Sequence, residues 1–219
     1  MIELRHVGKV YQAGPVTIPS LTDVSFRIEA GEFAVLHGPS GAGKTTLLRL
    51  LYRAEVPTEG EVEVFDESLG ELRRSQVALL RRSIGVVFQD AKLLPGRTVY
   101  QNIAFVLRVL GAPRREVKAG VFEALRAVGL GARAQSYPFQ LSQGEAQRAA
   151  LARAIVRKPA LLLADEPTGN LDSHAGAEVT ALLRELHQSG RTVVLITHDV
   201  DVAATADRQI HLLDGRLAA

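Results

Sequence analysis

The sequence predicts an α/β fold with a mainly parallel core sheet, and three observations support this prediction. The first third of the chain is rich in short β-like runs separated by turn signals. The middle third carries helical apolar spacing instead. The last third alternates strand-like and helix-like runs, which implies right-handed crossovers on a buried parallel sheet. We therefore expect a helical insert within an α/β core, in a chain of 219 residues that one domain can accommodate.

The strands expected in the first third are short apolar or alternating runs. They cover residues 2–7, 21–28, 33–37 and 61–65. Residues 29–31 and 57–60 supply the turn signals between them. An amphipathic run at 46–51 predicts a helix directly after the third of these strands.

The later elements follow from the same periodicities. A strand-like run at 84–88 leads into helices expected at 99–110, 114–128 and 142–156. The last third then alternates, with runs at 160–164, 173–187, 192–197, 200–206 and 208–213.

Composition and charge exclude several classes of protein. The formal net charge of +2 creates no strong field for nucleic acid or a membrane surface, despite a pI near 9.1. The absence of cysteine excludes disulfides and thiolate metal sites. The N-terminus has no signal-peptide layout, and no apolar run approaches the roughly 18 residues of a membrane span. We expect a cytoplasmic protein that reaches a membrane only through a partner.

The most informative motif lies between a predicted strand and a predicted helix. Residues 38–45 read GPSGAGKT, which fills every fixed position of the phosphate-binding P-loop pattern. Glycines let backbone N–H groups point at anionic oxygens, and the following helix adds its positive N-terminal end. Lys44 is expected to reach the β- and γ-phosphates, and the Thr45 hydroxyl to bind Mg²⁺. The alternative is an ordinary glycine-rich turn, but the context favours binding of a nucleoside triphosphate.

Two carboxylates end the apolar run 161–165. Asp165 and Glu166 are expected beside the P-loop, because ligands of open α/β sheets gather at the carboxyl ends of strands. Asp165 suits a Mg²⁺ contact, and Glu166 is placed to polarise the attacking water. The alternative is a strand end capped by solvated acids, which the presence of the P-loop disfavours.

Four other residues carry two interpretations each. Ser142 precedes a long helix and is either part of a second anion site or an ordinary N-cap. Gln89 is either a ligand of Mg²⁺ or water, or a polar residue at a strand end. His198 either contacts a γ-phosphate or is structural. Tyr11 either stacks on a base or packs as an ordinary tyrosine.

Taken together, these motifs in this order resemble the nucleotide-binding subunit of ATP-binding cassette (ABC) systems. The motifs are Walker A at 38–45, the Q-loop at Gln89, the signature at 141–145, Walker B at 161–165, the D-loop at 170–172 and the switch histidine His198. The resemblance implies a P-loop NTPase ABC cassette with an N-terminal antiparallel β subdomain and a helical subdomain. Residues 1–219 would form one ABC ATPase domain. Its RecA-like core with the β subdomain would cover about 1–88 and 159–219, and the helical subdomain, with Q-loop and signature, about 89–158.

The resemblance also implies hydrolysis of ATP to ADP and phosphate with Mg²⁺. ATP would be bound by Tyr11, Gly38, Pro39, Ser40, Gly41, Ala42, Gly43, Lys44, Thr45, Thr46 and Gln89. Mg²⁺ would be bound by Thr45, Gln89 and Asp165, and the catalytic residues would be Lys44, Glu166 and His198. In the family two subunits meet head to tail, and the signature residues Ser142, Gln143, Gly144 and Glu145 then act on the partner's nucleotide. The D-loop would comprise Asn170, Leu171 and Asp172.

Finer resemblances concern the membrane partner. The run DEPTGNLD at 165–172 resembles the group that serves FtsX- and MacB-type membrane proteins, and RTVY at 97–100 favours the cell-division FtsE subfamily. This implies an FtsX-like integral membrane partner, an ATP-dependent homodimer, no direct nucleic acid contact, and a peripheral position at the cytoplasmic face of the cell membrane. One alternative is a LolD/MacB-like ATPase for lipoprotein release or export. Another is a soluble ABC ATPase acting on nucleic acid or the ribosome, disfavoured because the chain has neither paired cassettes nor a long coiled-coil insert.

Two last expectations follow from the resemblance. Gln143 replaces the first glycine of the family's Leu-Ser-Gly-Gly signature, and its side chain is expected to crowd the opposing nucleotide or to demand an altered backbone, and so to slow turnover. A partner-facing groove is expected in the helical part, where most apolar side chains are core and any exposed ones grip a short cytoplasmic helix. The apolar set there is Leu93, Leu94, Val99, Ile103 and Val106.

Overall fold

The structure is a computed structural model that describes residues 1–218. Its strands are β1 (Ile2–Ala13), β2 (Val16–Ile28), β3 (Phe33–His37), β4 (Glu59–Val64), β5 (Glu67–Ser68), β6 (Ile84–Val87), β7 (Leu161–Asp165), β8 (Thr192–Ile196), β9 (Arg208–Leu213) and β10 (Arg216–Leu217). Its helices are α1 (Lys44–Leu51), α2 (Arg74–Leu80), α3 (Val99–Val109), α4 (Arg114–Ala127), α5 (Gln143–Ile155), α6 (Ser173–Gln188) and α7 (Val200–Ala204).

The core sheet has six strands in the order β10-β9-β3-β8-β7-β6. Every neighbouring pair from β9 to β6 is parallel, and only the short β10 runs antiparallel to its neighbour β9. Strands β7 and β8 are almost continuously apolar because both of their faces are buried. The predicted mainly parallel core sheet is therefore confirmed.

The two faces of this sheet pack into two different hydrophobic cores. In β7, Leu162 and Ala164 join the core made with α3 to α6, whereas Leu161 and Leu163 join the core made with α1 and the N-terminal strands. Successive side chains of a strand point to opposite faces, so one apolar run serves both layers. The P-loop helix and the helical insert consequently lie on opposite faces of the sheet.

A second, antiparallel sheet has the order β2-β1-β4-β5 and confirms the predicted N-terminal antiparallel layer. Its first two strands are longer than expected, because β1 continues to Ala13 and β2 begins at Val16. The added part is an exposed hairpin tip in which Val16 and Ile18 are solvent-accessible. At this tip, β1 and β2 are held together by backbone hydrogen bonds alone. The sequence therefore shows no pattern of buried residues from which the longer strands could be predicted.

Helices α3, α4 and α5 pack against one another, and α5 also contacts β6. The sequence missed α2 and the two-residue strands β5 and β10. In α2 only Leu80 is buried, so the helix has no apolar stripe from which it could be predicted. The division into core and helical subdomain at about 89–158 stays a prediction. No helix within residues 1–218 combines the length and apolar character required to cross a membrane.

Candidate nucleotide-binding and hydrolysis site

The P-loop lies where the central strand β3 ends and α1 begins. Gly38 has φ +146°, and a Cβ placed on it would come within 2.0 Å of the carbonyl oxygen of Leu212. Only glycine therefore allows the loop to turn this close to β9. Lys44, the first residue of α1, is only 6% exposed, and its Nζ donates to the carbonyls of Gly38 and Pro39 at 2.8 and 2.9 Å. The loop thus holds its own ammonium group inside its curl.

Thr45 and Asp165 bring two hard oxygen ligands together at the carboxyl end of the interior strand β7. The Thr45 hydroxyl lies 3.3 Å from Oδ1 of Asp165, at the end of β7. Burial raises the pKa of Asp165 above its ordinary value, and the neighbouring Glu166 charge acts in the same direction, while the Thr45 hydrogen bond opposes it. A hydroxyl, a carboxylate and phosphate oxygens are the donor set that Mg²⁺ takes at nucleotide sites, so these residues fit the ion.

Within residues 1–218, no cluster of three or more histidine and acidic side chains forms an all-protein metal cage. A Mg²⁺ ion would therefore depend on phosphate oxygens for the rest of its ligands. Gln89, the third predicted ligand, is exposed just beyond β6. A Cβ on Gly169 would lie 3.1 Å from the Gln89 side-chain nitrogen and 3.6 Å from Oε2 of Glu166. The structure thus brings Gln89 to the neighbourhood of Glu166.

Glu166 sits in an unusual backbone conformation. Its φ of +43° is in the left-handed region, which costs a non-glycine residue about 1–3 kcal/mol. The backbone N–H of Glu166 donates to the carbonyl of Ile196 on β8 at 3.0 Å, which helps to hold this conformation. Nδ1 of the exposed His198 lies 3.8 Å from Oε2 of Glu166. The carboxylate is therefore fixed beside an imidazole at a position that water can reach.

Tyr11 approaches the P-loop helix from the antiparallel sheet. Its hydroxyl lies 3.4 Å from Oγ1 of Thr46, and Lys9 Nζ lies 4.9 Å from the centre of its ring. The Ser20 hydroxyl bonds the same Thr46 oxygen at 2.9 Å. Sequence reasoning missed Ser20, because a serine in a strand far from the P-loop belongs to no motif. Only the packing of β2 against α1 identifies it.

These residues surround a pocket of about 260 Å³. Its lining is Ser20, Ser40, Gly41, Gly43, Lys44, Thr45, Thr46 and Glu166. Ligand pockets that enclose a whole drug-sized molecule range from about 300 to 1,000 Å³. The pocket therefore matches a phosphate chain, and it leaves the nucleoside to be contacted from elsewhere.

The signature residues form a separate site at the N-terminus of α5. The Ser142 side chain accepts from the Glu145 N–H at 3.1 Å, and the Glu145 carboxylate accepts from the Ser142 N–H at 2.9 Å, a reciprocal capping box. The hydrogen bond from Ser142 is the main cause that lowers the pKa of Glu145, and Arg133 pairs with the same carboxylate at 2.9 Å. Ser142 is thus an N-cap, and it remains exposed. None of the signature residues lines the P-loop pocket.

Gln143 and Gly144 differ in what their positions demand. Gln143 is the first residue of α5, is exposed, and has no positive φ, so the altered backbone expected as one consequence of Gln143 does not occur. Gly144 is buried, and a Cβ on it would lie 2.8 Å from Cβ of Ala175 on α6. The glycine that the signature retains is the one that the α5–α6 contact requires.

The predicted D-loop connects the neighbouring motifs. Asn170 Nδ2 lies 3.4 Å from Oδ1 of Asp90, directly after Gln89. Leu171 packs against the hydrophobic core, and Asp172 caps α6 by accepting from the Ala175 N–H at 2.8 Å. The D-loop is therefore fixed at both ends. Asn170 holds one end near Gln89, and Asp172 holds the other end near Ala175, the residue that Gly144 faces.

Comparisons with known proteins agree with this arrangement. The family described as ABC transporter matches residues 21–169. The cell division ATP-binding protein FtsE of Streptococcus pneumoniae serotype 2 is 45% identical over 218 residues, covering 99% of this chain and 94% of that protein. The lipoprotein-releasing system ATP-binding protein LolD of Bordetella pertussis is 46% identical over 220 residues, with the same two coverages of 99% and 94%. The dimeric structure of MJ0796, a bacterial ABC transporter cassette, aligns with a TM-score of 0.93 at 38% identity, covering 100% of this chain and 97% of that one.

Proposed function

The chain belongs to the ABC transporter family, and from that premise we propose that it is an FtsE-like subunit that dimerises on ATP and drives a conformational change in an FtsX-like membrane protein in cell division. The coarser statement stands on the comparisons: the chain is an ATP-binding ABC ATPase subunit of a membrane transporter system. The observation that carries the proposed chemistry is that Lys44, Thr45 and Glu166 line one pocket. Asp165 lies against Thr45 and His198 lies against Glu166.

In the proposed reaction, each side chain has a distinct task. Lys44 contacts the terminal phosphates, and Glu166 accepts a proton from the attacking water. His198 positions the γ-phosphate next to Glu166, and Gln89 senses whether the phosphate is present. Mg²⁺, held by Thr45 and Asp165 with Gln89 as the proposed third protein contact, supplies charge neutralisation of the phosphate oxygens.

The proposed dimer completes the site. The P-loop pocket, at about 260 Å³, matches a phosphate chain, while Ser142 and the start of α5 point an anion-binding helix end at solvent. Two chains arranged head to tail would place each helix end against the other chain's nucleotide. ATP then joins the two chains, and hydrolysis removes those contacts so that the dimer opens. The solved MJ0796 cassette is dimeric, which supports a dimer of this chain.

A groove between α2, β6, α3 and α5 is the proposed docking site for the membrane partner. Its volume is about 440 Å³, and it ends at Phe88, the residue before Gln89. Val99 and Ile103 of the expected apolar set are core, whereas Val106 lines the groove. Sequence reasoning missed Phe105 and Val109, which line the groove with 41% and 66% exposure. The sequence signal that could have identified them is the spacing of Phe105 and Val109, four positions apart on one predicted helix.

Charge indicates the chemistry of the partner segment. Four arginines line the groove and no acidic residue does: Arg81, Arg82, Arg153 and Arg157. Apolar ridges with cationic walls suit a short amphipathic helix that carries carboxylates. Arg153 also donates to the carbonyls of Ala91 and Lys92 at 2.9 and 2.7 Å, which links the groove wall to the segment after Gln89. Arg153 would thus connect the proposed docking groove to the proposed nucleotide sensor, Gln89.

The cell-division role rests on the FtsE relatives and on residues 97–100, and it places the protein at the cytoplasmic face of the membrane through its partner. A LolD/MacB-like role in lipoprotein release or export is the second candidate, because the LolD relative is as similar as the FtsE relatives. A role on nucleic acid has less support. The net charge is only +2, and the longest helix of residues 1–218, α6, has 16 residues.

The test is a pull-down of tagged Glu166→Gln from detergent-solubilised native membranes with and without MgATP. We expect this variant to bind ATP, lose hydrolysis by about 10²–10⁴-fold, and remain a closed dimer that retains an FtsX-like integral membrane protein. Recovery of a lipoprotein-release protein instead would keep the ATPase chemistry and replace the biological role. A variant that stays monomeric in saturating MgATP would overturn the mechanism.

A groove variant separates docking from catalysis. Val109→Asp in the same background is expected to abolish recovery of the membrane protein while leaving ATP-driven dimerisation intact. Val16→Asp is the matched control, because Val16 is similarly exposed, at 57%, on the distant hairpin tip. Equal recovery with Val109→Asp and Val16→Asp would remove the groove from the proposal.

A further inference from the structure

Two aromatic side chains stand exposed beside the predicted signature. Tyr137 and Phe139 stack with ring centroids 5.6 Å apart and planes 15° from parallel. Phe139 is 79% exposed and Tyr137 40%. A phenylalanine that remains in water forgoes the stabilisation that burial would give. Packing within one chain therefore does not account for this pair.

The segment that carries the pair is held rigidly. Residues Pro138–Gln140 form a 3-10 turn, and Gln140 Oε1 accepts from the Tyr137 N–H at 2.8 Å. The Val99 N–H donates to the carbonyl of Ser136 at 2.9 Å, which ties the segment to the start of α3. A rigid aromatic surface loses little entropy when it binds a ligand, so it is suited to recognition.

The chain segment that carries the pair is uncharged. Residues 134–144 contain no Asp, Glu, Lys or Arg, and the two flanking charges, Arg133 and Glu145, pair with each other at 2.9 Å. What remains is a surface of aromatic rings and side-chain amides. Such a surface matches a flat, neutral group with hydrogen-bonding edges, and it offers nothing to an acidic peptide or a lipid headgroup.

We propose that the Tyr137–Phe139 pair is a platform, supplied in trans, for the purine base of the nucleotide held by a second copy of this chain. The inference rests on the head-to-tail dimer of the proposed function. Phe139 precedes Ser142 by three positions, so the chain keeps their Cα atoms within about 10 Å of each other, and Ser142 is the residue proposed to face the opposing γ-phosphate. The nucleoside of the same triphosphate lies within that reach.

The platform supplies what the P-loop pocket lacks. That pocket fits a phosphate chain, and Tyr11 is the aromatic side chain that approaches it from the same chain. A base held between Tyr11 of one copy and Phe139 of the other makes the nucleoside, as well as the γ-phosphate, part of the dimer interface. Stacking tolerates any base, so the pair strengthens dimerisation without reading the base edge.

The first test compares dimerisation constants in MgATP by analytical ultracentrifugation, in the Glu166→Gln background. We expect Phe139→Ala to weaken the dimer about 100-fold, because the symmetric dimer loses two base–aromatic stacks, each worth about tenfold. Phe122→Ala is the matched control, because Phe122 on α4 is 40% exposed and pairs with Tyr100 at 5.8 Å, away from the signature. An unchanged constant for Phe139→Ala overturns the inference.

The second test distinguishes a base from a protein surface. The chain has no tryptophan, so Phe139→Trp in the same background introduces a single tryptophan, whose emission is distinguished from that of the four tyrosines by selective excitation. MgATP is expected to quench its emission in step with dimer formation, because a purine stacked on indole quenches it. A blue shift without quenching would indicate burial against protein and would overturn the inference. Phe122→Trp should respond to neither MgATP nor dimer formation.

These outcomes are separable from failure of the proposed function. If Glu166→Gln itself does not dimerise in MgATP, the head-to-tail mechanism fails and the platform fails with it. If it dimerises and Phe139→Ala dimerises equally well, only the platform is wrong. If Phe139→Ala dimerises normally but no longer recovers the membrane protein, the ring contacts that protein instead, and the platform is again wrong.

Discussion

The P-loop region and the signature region are both proposed to bind phosphate, but they are built in opposite ways. At the P-loop, Lys44 is buried against loop carbonyls and Thr45 already contacts Asp165. At the signature, the Ser142 hydroxyl accepts from the Glu145 N–H within the capping box, and Ser142 and Gln143 are exposed. The P-loop contacts are complete within one chain. Within residues 1–218, the signature residues are held in place but contact no phosphate-binding residue of the same chain. This difference is what the proposed two-chain active site would require.

The two regions also differ in what fixes them. Strands β3 and β7 lie in the middle of the buried sheet, so the P-loop and Asp165 are positioned by the core. The signature is positioned by the α5 capping box and by the contact of Gly144 with Ala175 on α6. A shift of α5 relative to the sheet would therefore move the signature and leave the P-loop in place. This is the motion that a membrane partner seated in the α2–α3–α5 groove would couple to.

The largest expected change in the rate of ATP hydrolysis comes from mixing a variant of the P-loop with a variant of the signature. Lys44→Ala removes the P-loop half of each site, and Ser142→Arg blocks the signature half, so we expect each to lose hydrolysis by at least about 10²-fold. A mixed dimer contains one site with an intact half from each chain. We therefore expect mixing to restore hydrolysis well above the rate of either variant alone, measured by phosphate release.

The control for the mixture is a chain that carries both substitutions. Mixed with either single variant, the double variant cannot complete any site, so the rate should stay at background. If the Lys44→Ala and Ser142→Arg mixture also stays at background while both bind into dimers, the two halves do not belong to one composite site.

Asp165→Asn tests how much the buried carboxylate of the P-loop site lowers the stability of the folded chain. Burial raises the pKa of Asp165, so its ionised form destabilises the folded chain at neutral pH. We expect Asp165→Asn to raise Tm without nucleotide, by about 2–4 °C for each kcal/mol relieved in a chain of this size, while hydrolysis is lost. The gain should be complete above the raised pKa and vanish as the pH falls below 3.8, where the wild-type carboxyl becomes neutral in both the folded and the unfolded states.

Calorimetry of the two proteins from pH 7 downward measures this effect. The Thr45 hydroxyl can still donate to an asparagine oxygen, so the comparison isolates the charge. A Tm for Asp165→Asn below that of the wild type at pH 7 would show that the ionised carboxylate stabilises the fold, contrary to the desolvation argument.

The sequence predicted what repeats a periodicity or completes a motif. Strand β3 was predicted at its observed bounds, and the core strands, α3 to α6 and the parallel sheet followed from apolar spacing. It failed where structure does not depend on burial. The tip of the β1–β2 hairpin is exposed, and α2 buries only Leu80, so neither leaves a hydrophobic pattern.

The candidate site shows the same limit. Motif residues such as Lys44 and Asp165 were predictable because their chemistry is tied to fixed positions beside a strand or helix end. Ser20 and Phe105 were not, because their roles arise from packing between elements that are distant in sequence. The left-handed φ of Glu166 also depends on its tie to β8 and not on residue type. Such features have no local signature.

Gln143→Gly gives the smallest expected effect and the sharpest question about the signature half. The structure removes one of the two proposed consequences of this glutamine, because its backbone is ordinary helix at the first position of α5. What remains is crowding of the opposing nucleotide by an exposed side chain. We expect Gln143→Gly to raise steady-state turnover several-fold, at a cost to helix stability of at most about 1 kcal/mol.

The control is Gln135→Gly, which removes an exposed glutamine from the same uncharged segment but outside the capping box. Faster hydrolysis with Gln143→Gly alone would mean that the side chain at 143 sets how closely α5 approaches the partner's phosphate. Unchanged hydrolysis with both variants would remove the support for slow turnover. The helix end would then tolerate a glutamine because its phosphate contacts come from the Ser142 hydroxyl and from backbone N–H groups, which glutamine and glycine supply alike.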